Sequence, residues 1–513
     1  MKKLLFSIIL LSSTIGFSQT LNALDPTFGN GGITTLTGWG KSAGAIKVMN
    51  DGKILILVTI DNNIKFIRLM PDGSIDNTYN SEAVVISGIT KNVDDMITQS
   101  DGKIVVEIQT GTTNFMVRFN IDGTIDSSFG NNGYVTNCFQ SVIYYSSRLG
   151  YDSITGNIYI VGNTVVSGSP FNTYFSTIEC YTSTGILNTT FNGSGFRTWT
   201  LATYQQKINN LKIDSVGKII LVGLKGYSSY HGNDSATDSW MLRLNTDGTM
   251  DNTFSDDGMF SLRTGTFYSE NYDYSSSVYL KDDNSILVVG SAGTYIANHQ
   301  FMVYEVTNSG VLASTSMPIS FPHPATWENK GLELVKDSNG KYILGGSVQV
   351  GAIDPNFAIL RIGVDYTVDN TFGISGWISA YNQNYNYVLN RLAVQADNKI
   401  LVLGITKTVP SPTETPSIVI ARYLDSSILD NEDIAKNNPI VVSPNPASSI
   451  LNVSVNDIGF LNTAYQIVDV NGRIINNGIL TTNISEINVG ELSKGIYFIK
   501  FENQNLVQKF IKK

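Results

Sequence analysis

The sequence is poor in the side chains that build catalytic and metal centres. Its three histidines, His231, His299 and His323, show neither paired spacing nor a metalloprotease motif, so we predict no zinc site and no cofactor. Charged residues make up only 15% of the chain, and a net charge of −9 without a basic stripe argues against nucleic-acid binding. The abundance of Ser, Thr, Asn, Gly and Tyr is typical of an all-β protein outside the cytoplasm.

Cysteine is almost as scarce, with only Cys138 and Cys180 present. The strand pattern places them on the first and fourth strands of one repeat, about 14 Å apart at about 4.8 Å per strand. Bridged Cα atoms lie within about 7 Å of each other. We therefore predict two free, buried thiols rather than a disulfide.

Long apolar runs are absent after the N-terminus, so we predict no transmembrane segment. Lys2 and Lys3 precede a short apolar stretch, residues 4–11, and small residues follow as far as Ser18. This order is typical of a secretory signal, which we place at residues 1–18.

What the sequence does contain is a segment of about sixty residues written seven times. Each copy has a glycine turn before a hydrophobic strand, as at residues 51–57, 101–106 and 216–223. The first copy divides into four short β segments, a to d, at 33–36, 45–49, 53–58 and 64–69. Seven four-stranded sheets packed radially give an all-β, seven-bladed β-propeller, which we place at residues 19–430.

A short motif, in which an aspartate is followed three residues later by phenylalanine or tyrosine, comes after strand d; we call it the box. One further box lies at the start of the chain, at residues 24–29, without a strand d before it. Eight boxes therefore bracket seven units. We expect segment a of the first unit to complete the sheet of the last unit, which closes the ring without a covalent bond.

Five copies place an arginine on strand d and an aspartate eight residues later. The predicted structural ion pairs are Arg68 with Asp76, Arg118 with Asp126, Arg243 with Asp251, Arg361 with Asp369, and Arg422 with Asp430. Copies three and five lack both partners, having Cys180 with Asn188 and Glu305 with Ala313. Joint loss is expected of an ion pair, because an unpaired buried charge costs several kcal/mol. Asp25 is the one aspartate predicted to have no partner.

The aspartates of the glycine turns allow two interpretations. Asp-x-Gly-x-x-Asp resembles part of a calcium loop, but the glutamate and the alternating acidic ligands of such a loop are missing. Aspartate, asparagine and glycine also form ordinary turns, which is the interpretation we favour.

We expect the functional site at the end of the ring opposite the glycine turns, where the a–b and c–d loops vary in length. Aromatic residues there suit sugar rings or peptides; the candidates for ligand binding are Trp39, Tyr144, Tyr204, Tyr272, Trp327 and Tyr385. They could instead pack blade against blade. An enzyme, such as a polysaccharide lyase or hydrolase, would use acids on the same loops, with Glu270, Asp273 and Glu328 as candidates; a purely structural or adhesion protein is the third alternative.

The repeat resembles the delta-60 repeat proteins, whose marks here lie at residues 25–32, 126–133 and 51–54. The resemblance extends over about residues 20–430, and copies three and five depart from the pattern. It implies a propeller and no defined activity.

The segment 441–513 is similar to the type A C-terminal sorting domain of the type IX secretion system in Bacteroidetes. The matching positions are Pro444, Asn445, Pro446, Asn471, Gly472, Lys494, Gly495 and Tyr497. The resemblance implies a small antiparallel β-sandwich read by an outer-membrane translocon and usually removed, which leaves cargo released or attached to surface lipopolysaccharide. We expect a polar linker at 431–440, a secreted or cell-surface location reached through the periplasm, and a monomer that binds a glycan or protein.

Overall fold

The computed structural model divides the chain into two compact units, Met1–Ser427 and Ile428–Lys513. It describes residues 23–38, 42–60, 63–85, 91–110, 113–139, 144–166, 173–200, 206–227, 236–264, 272–294, 297–319, 326–350, 356–373, 375–379, 385–408, 416–425, 440–443, 445–455, 463–482, 484–501 and 506–513. The predicted signal peptide, 1–18, and all but the last residue of the predicted linker, 431–440, lie outside these ranges. No helix in the described ranges is long and apolar enough to cross a membrane.

The first unit consists of short antiparallel strands. In chain order they are β1 (Ile33–Leu36), β2 (Ser42–Val48), β3 (Ile54–Ile60), β4 (Asn63–Leu69), β5 (Val84–Val85), β6 (Lys91–Thr98), β7 (Ile104–Thr110), β8 (Thr113–Phe119), β9 (Tyr134–Cys138), β10 (Tyr144–Tyr151), β11 (Ile158–Val166), β12 (Thr173–Tyr181), β13 (Phe196–Trp199), β14 (Gln206–Ile213), β15 (Ile219–Tyr227), β16 (Ala236–Leu244), β17 (Met259–Leu262), β18 (Tyr274–Leu280), β19 (Ile286–Thr294), β20 (Ala297–Val306), β21 (Leu312–Ile319), β22 (Thr326–Lys336), β23 (Tyr342–Val350), β24 (Asn356–Ile362), β25 (Trp377–Ser379), β26 (Tyr385–Val394), β27 (Ile400–Thr408) and β28 (Ser417–Tyr423).

These strands form seven four-stranded sheets within the described ranges, which are the blades of a β-propeller. Blades one to six are β2–β5, β6–β9, β10–β13, β14–β17, β18–β21 and β22–β25, each in chain order. Blade seven is β26–β28 with β1 at its outer edge. The predicted fold class is confirmed.

The ring closes through strand pairing between the two ends of this unit. Ile33 pairs with Ala421 and Leu36 with Ile418, in an antiparallel register. The backbone N–H of Asp25 also donates to the carbonyl of Arg422 at 2.8 Å. Closure by β1 leaves no open edge between the first and last blades, as expected from the box at the start of the chain.

The same arrangement corrects the predicted position of the cysteines. Segment a of every repeat is the outer strand of the preceding blade, so Cys138 on β9 belongs to blade two and Cys180 on β12 to blade three. Placing both on one sheet was therefore wrong. Both residues are nevertheless free and buried, as predicted.

The cores lie between neighbouring blades. One cluster joins Leu55 and Leu57 of blade one to Ile104 and Val106 of blade two. The central strands of the blades are apolar on both faces because each is covered by a blade on either side. This explains why segment c has a continuous apolar run instead of an alternating one.

The second unit has two antiparallel sheets that share one core. Its strands are β29 (Ile440–Ser443), β30 (Ile450–Val455), β31 (Ala464–Asp469), β32 (Ile474–Ile479), β33 (Ile484–Asn488), β34 (Gly495–Phe501) and β35 (Leu506–Lys512). The sheet orders are β29-β30-β33 and β32-β31-β34-β35. Leu451 and Ile487 from the first sheet pack with Ile467, Ile499 and Phe510 from the second. The unit is thus a small β-sandwich.

Candidate functional site

A cavity of about 810 Å³ lies at the centre of the propeller. It is lined by the innermost strand of every blade, namely β2, β6, β10, β14, β18, β22 and β26. These strands begin where the variable a–b connections enter the ring. We call this cavity the central channel.

Every inner strand is interrupted by a β-bulge or irregularity at the channel. The register shifts lie between Ala43 and Ala45, Val93 and Asp95, Tyr145 and Arg148, Ile208 and Asn210, Ser275 and Ser277, Gly331 and Glu333, and Leu389 and Arg391. A bulge leaves its extra residue outside the ladder and redirects the neighbouring side chains. Seven bulges at one level therefore place a ring of side chains in the channel.

Polar side chains at four of these bulges join neighbouring blades. The Asp95 carboxylate accepts the backbone N–H of Leu149 at 3.0 Å, and the Glu333 carboxylate accepts that of Leu392 at 2.8 Å. The amide groups of two asparagines act in the opposite sense, with Asn209 donating to the Ser275 carbonyl at 2.7 Å and Asn390 to the Ala43 carbonyl at 2.6 Å. These side chains hold the inner strands in register around the ring.

The described side chains of the channel are more cationic than anionic. The lining contains two acidic side chains, Asp95 and Glu333, and four basic ones, Arg148, Lys207, Lys212 and Arg391. Burial raises the pKa of Glu333, although Arg391 opposes the shift.

Two tyrosines line the channel at the start of blade five. The rings of Tyr272 and Tyr274 lie 6.1 Å apart, centroid to centroid, at 77°. Tyr272 also makes an edge contact with the His299 ring at 5.7 Å. Both tyrosines remain partly exposed.

Tyr272 is the one predicted ligand-binding aromatic whose side chain the structure describes. Trp39 and Tyr204 lie outside the described residues. Tyr144, Trp327 and Tyr385 fall on β10, β22 and β26, and their side chains lie outside what is described. The backbone thus places these three on inner strands.

The candidate catalytic acids do not gather in the described part of the channel. Asp273 is fully buried, and its carboxylate accepts the backbone N–H of Thr264 at 2.7 Å and the hydroxyl of the same residue at 2.9 Å. Burial raises the pKa of Asp273. Glu270 and the side chain of Glu328 lie outside the described residues. Asp273 is therefore a structural cap for Thr264.

The end of the ring opposite the variable loops contains the glycine turns, which are similar from copy to copy, and a repeated cluster of charges. Four of the five arginines ion-pair with the aspartate eight residues later through their Nε or Nη atoms. The N–O separations are 2.7 Å for Arg68 and Asp76, 2.8 Å for Arg118 and Asp126, 2.7 Å for Arg243 and Asp251, and 2.8 Å for Arg361 and Asp369. Each arginine also covers the aromatic ring of its box; Arg243 and Phe254 are 4.6 Å apart.

A lysine that the sequence reasoning missed is the third member of this cluster. Lys218 Nζ lies 2.6 Å from Asp251, and Lys103 Nζ lies 2.9 Å from Asp126. Both lysines come from the glycine turn, which has a lysine at this position in five of the seven copies, after glycine in four and after Asn398 in one. That recurrence was the available signal, since nothing else in the turn requires a lysine.

The prediction that Asp25 has no partner was wrong. Its carboxylate lies 2.8 Å from Arg422 Nε and 3.3 Å from Lys399 Nζ. Asp430, the predicted partner of Arg422, lies outside the described residues. An ion pair between the two ends of the unit therefore accompanies the strand pairing that closes the ring.

The turn aspartates accept hydrogen bonds from their own turns. Asp72 accepts the backbone N–H and hydroxyl of Ser74, and Asp247 accepts those of Thr249 at 2.9 and 2.6 Å. This local pattern is typical of aspartate in tight turns.

In the second unit the sorting-motif residues anchor the last strand. Asn445 Oδ1 accepts the backbone N–H of Ile511 at 2.9 Å, and Tyr497 stacks on Phe510 at 5.7 Å. Pro446 follows Asn445 through a cis peptide bond. Gly472, at φ 80°, occupies with Asn471 the turn after β31. Lys494 and Gly495 lie at the start of β34, and Pro444 lies outside the described residues.

Two family models match parts of this chain. The "Domain of unknown function (DUF5122) beta-propeller" matches residues 50–79, 99–129 and 217–254. The "Secretion system C-terminal sorting domain" matches residues 441–513. No curated protein matches the chain.

Several solved structures are similar at low sequence identity. PorZ, a surface component of the type IX secretion system of Porphyromonas gingivalis, is 13% identical with a TM-score of 0.38, over 93% of this chain and 59% of that one. A Dyadobacter fermentans protein of unknown function is 9% identical with a TM-score of 0.39, over 76% and 99% of the two chains. The Dos1 propeller is 8% identical with a TM-score of 0.39, over 74% and 78%. The chain thus spans about three-fifths of the length of PorZ.

The blades, the repeat match and the terminal match identify both parts of the molecule. The sorting domain implies interaction with the type IX secretion machinery and secretion across the outer membrane to the cell surface or medium. The chain is therefore a β-propeller with DUF5122 repeats that carries a C-terminal sorting domain of the type IX secretion system.

Proposed function

We propose that the exported propeller is a binding protein that takes a glycan or protein segment at the variable end of its central channel. The observation that carries this proposal is the difference between the turn end of the ring and the channel. At the turn end, the charged side chains pair with one another and the turn aspartates cap their own backbone. Between the ends, from Ser42 and Tyr272 near the start of the inner strands to Lys212 and Val335 near their last residues, polar and aromatic side chains from seven blades line one cavity.

The size and lining of the channel support binding of a small ligand or a chain end. Its volume of about 810 Å³ lies within the range of about 300–1,000 Å³ found for ligand pockets. Tyr272 and Tyr274 supply flat apolar rings with polar tips, which suit the face of a sugar or the side chain of a peptide. Rigid blades hold these groups in fixed positions, as in other scaffolds that carry function on variable loops.

Binding should be measured with the exported protein on arrays of neutral and acidic glycans and of peptides. The variant Tyr272→Ala is expected to bind its array ligand about three- to tenfold more weakly, because one aromatic contact is lost. Ile186→Ala, an exposed turn residue at the opposite end, is the control and should bind normally. Ligand binding that Tyr272→Ala leaves unchanged would contradict the proposal, as would turnover of the ligand.

We also infer how the chain is processed. Removal of residues 1–18 and cleavage in the linker at 431–440 would leave a monomeric propeller of residues 19–430. The polar composition of the linker supports cleavage there. Mass spectrometry of the protein from culture medium and from cells should give an N-terminus at Gln19, and added glycolipid mass in the cell fraction would indicate attachment to lipopolysaccharide. A full-length C-terminus in both fractions would contradict cleavage.

A further inference from the structure

The charge of the central channel is opposite to that of the whole chain. The chain has a net charge of −9. The described lining of the channel nevertheless contains four basic side chains, Arg148, Lys207, Lys212 and Arg391, and two acidic ones. The basic residues come from blades three, four and seven, so they face the cavity from several directions.

The two acidic side chains have structural partners. Asp95 accepts the backbone N–H of Met96 through one oxygen and that of Leu149 through the other, both at 3.0 Å. Glu333 accepts the N–H of Leu392 at 2.8 Å. These bonds join blades two and six to the blades that follow them. Their carboxylates therefore belong to the scaffold. Arg391 also donates to the Asn390 carbonyl at 2.8 Å, and the basic side chains still outnumber the acidic ones by two in the described lining.

The uncharged lining favours a carbohydrate over an acidic peptide. Ser276 presents a hydroxyl group, the neighbouring Asn210 amide donates to the Ser276 carbonyl at 3.4 Å, and Tyr272 and Tyr274 present rings. Hydroxyl-rich ligands can exchange hydrogen bonds with such groups and stack on tyrosine. A peptide would gain most from deep apolar pockets for its side chains.

We propose that the ligand of the central channel is an acidic glycan, a saccharide that carries carboxylate or sulfate groups. This inference rests on the proposed function, because it names the ligand class of the same site. Lys212 and Lys207 attract the anionic groups, and the tyrosines and serines contact the sugar rings and hydroxyls. The net negative surface outside the channel limits binding of anions elsewhere.

The test uses four probes of similar length: oligogalacturonate, a sulfated chondroitin oligosaccharide, a neutral galacto-oligosaccharide and poly-glutamate. Calorimetry at low and high salt should show that at least one acidic oligosaccharide binds and that added salt weakens binding, since salt screens exposed charges. The two acidic probes distinguish carboxylate from sulfate recognition. Lys212→Gln and Lys207→Gln should each weaken binding about threefold, and the double variant about tenfold.

The matched control is Lys65→Gln, which makes the same charge change on β4, a strand outside the described channel lining. It should leave affinity unchanged, and thermal unfolding should confirm that all variants remain folded. Binding of the neutral probe with equal affinity would overturn the acidic ligand class while leaving the channel as a binding site. Preferential binding of poly-glutamate would overturn the glycan assignment, and failure of both acidic oligosaccharides to bind would overturn the inference itself.

Discussion

Blade four places a cation, Arg243, on its third strand, and blade five places an anion, Glu305, at the equivalent position. Arg243 pairs across the sheet with Ile220, and Glu305 pairs with Leu287 in the same way. The Asp251 carboxylate that binds Arg243 has no counterpart in blade five, where the position is Ala313. The charge of this position is therefore reversed, yet the blade keeps its four strands.

In blade five, Glu305 takes the place of the arginine, and a lysine takes the place of the aspartate as the group of opposite charge. Glu305 receives Lys281 Nζ at 2.8 Å, the Ser285 hydroxyl at 2.6 Å and the hydroxyl of Tyr366. Tyr366 occupies a turn position that is glycine in five other repeats and Ser427 in the last. One of these glycines is Gly248, whose added Cβ would lie 2.8 Å from Phe191. In blade five the corresponding aromatic is missing, because the position is Ser316.

The comparison shows what the structure requires at this point of the ring. Where a blade has a charge at this point, a group of opposite sign compensates it, whereas blade three has the uncharged Cys180 and Asn188. An aromatic ring of suitable volume fills the space between neighbouring turns. Blade four meets the requirement with Arg243, Asp251 and Phe254, and blade five with Glu305 and Lys281 together with Tyr366 from the next blade. The side chains can differ because a buried charge needs a partner of opposite sign, whichever group supplies it.

Acid should have the largest effect, because it discharges the carboxylates of both cluster types together. The Thr78 hydroxyl and Arg68 lower the pKa of Asp76 to about 2 from an ordinary value of 3.8. Against the effect of burial, Lys218 lowers the pKa of Asp251 and Lys281 that of Glu305. Such groups stabilise the fold above their ordinary pKa and lose this contribution as the pH falls through the folded-state value.

The midpoint of thermal unfolding should therefore be level above about pH 5 and fall steeply between about pH 4 and 2. Asp76→Asn, which removes one titrating carboxylate, should make this fall shallower. A midpoint that is unchanged down to about pH 2 would show that the lowered pKa values do not contribute to stability.

Breaking a regular cluster should have the next largest effect. In the parent protein Arg118 Nε lies 2.8 Å from the Asp126 carboxylate. Arg118→Ala removes this partner and leaves the carboxylate in a largely buried position. The free energy of unfolding should fall by about 3–5 kcal/mol, as measured by urea denaturation. The double variant Arg118→Ala, Asp126→Ala should cost much less than the sum of the two single variants. Strict additivity would refute the pairing.

Changing blade five toward the regular pattern should also destabilise it. Tyr366→Gly restores the common turn residue at φ 64°, but it removes a buried ring whose space no phenylalanine fills. We expect a loss of about 2–4 kcal/mol in unfolding free energy. Tyr366→Phe keeps the ring and should lose only about 1 kcal/mol. If Tyr366→Gly is as stable as the parent, the ring does not replace the missing aromatic.

The smallest effect should come from the lysine of a regular cluster. Lys341 Nζ lies 2.7 Å from Asp369, but its side chain keeps 30% of its exposure, and Arg361 remains as a second cation. Lys341→Met should therefore cost about 1 kcal/mol or less. Lys281→Met in blade five should cost more, about 1–2 kcal/mol, because Lys281 is the cation that the described residues place on Glu305. Equal losses in chemical denaturation would remove the distinction between the two blades.

Much of the propeller could be predicted from the sequence because its signals recur. The glycine turns and the apolar runs located the strands, and the eight boxes located the closure by β1. The ion-pair spacing was also readable, since both partners stand on one repeat. The partner of Asp25 could not be predicted, because Arg422 lies at the other end of the unit and no local spacing connects the two residues.

The channel was beyond sequence reasoning for a related reason. Its residues come from seven strands that are far apart in the chain, and a bulge on each strand decides which side chains face inward. Alternation predicts the two faces of a strand, but a single inserted residue exchanges them. Lys207 and Lys212 therefore carry no signal in the sequence that marks them as channel residues.

The sequence by itself determined the number of blades, the way the ring closes and the export of the protein, because repeats and terminal motifs are local and each copy reports the same strand order. The tertiary structure decided which blade each outer strand joins, which cation reaches Asp25, and where the charges of the inner strands meet. These depend on contacts between distant segments, and only the closed ring brings those segments within hydrogen-bonding distance.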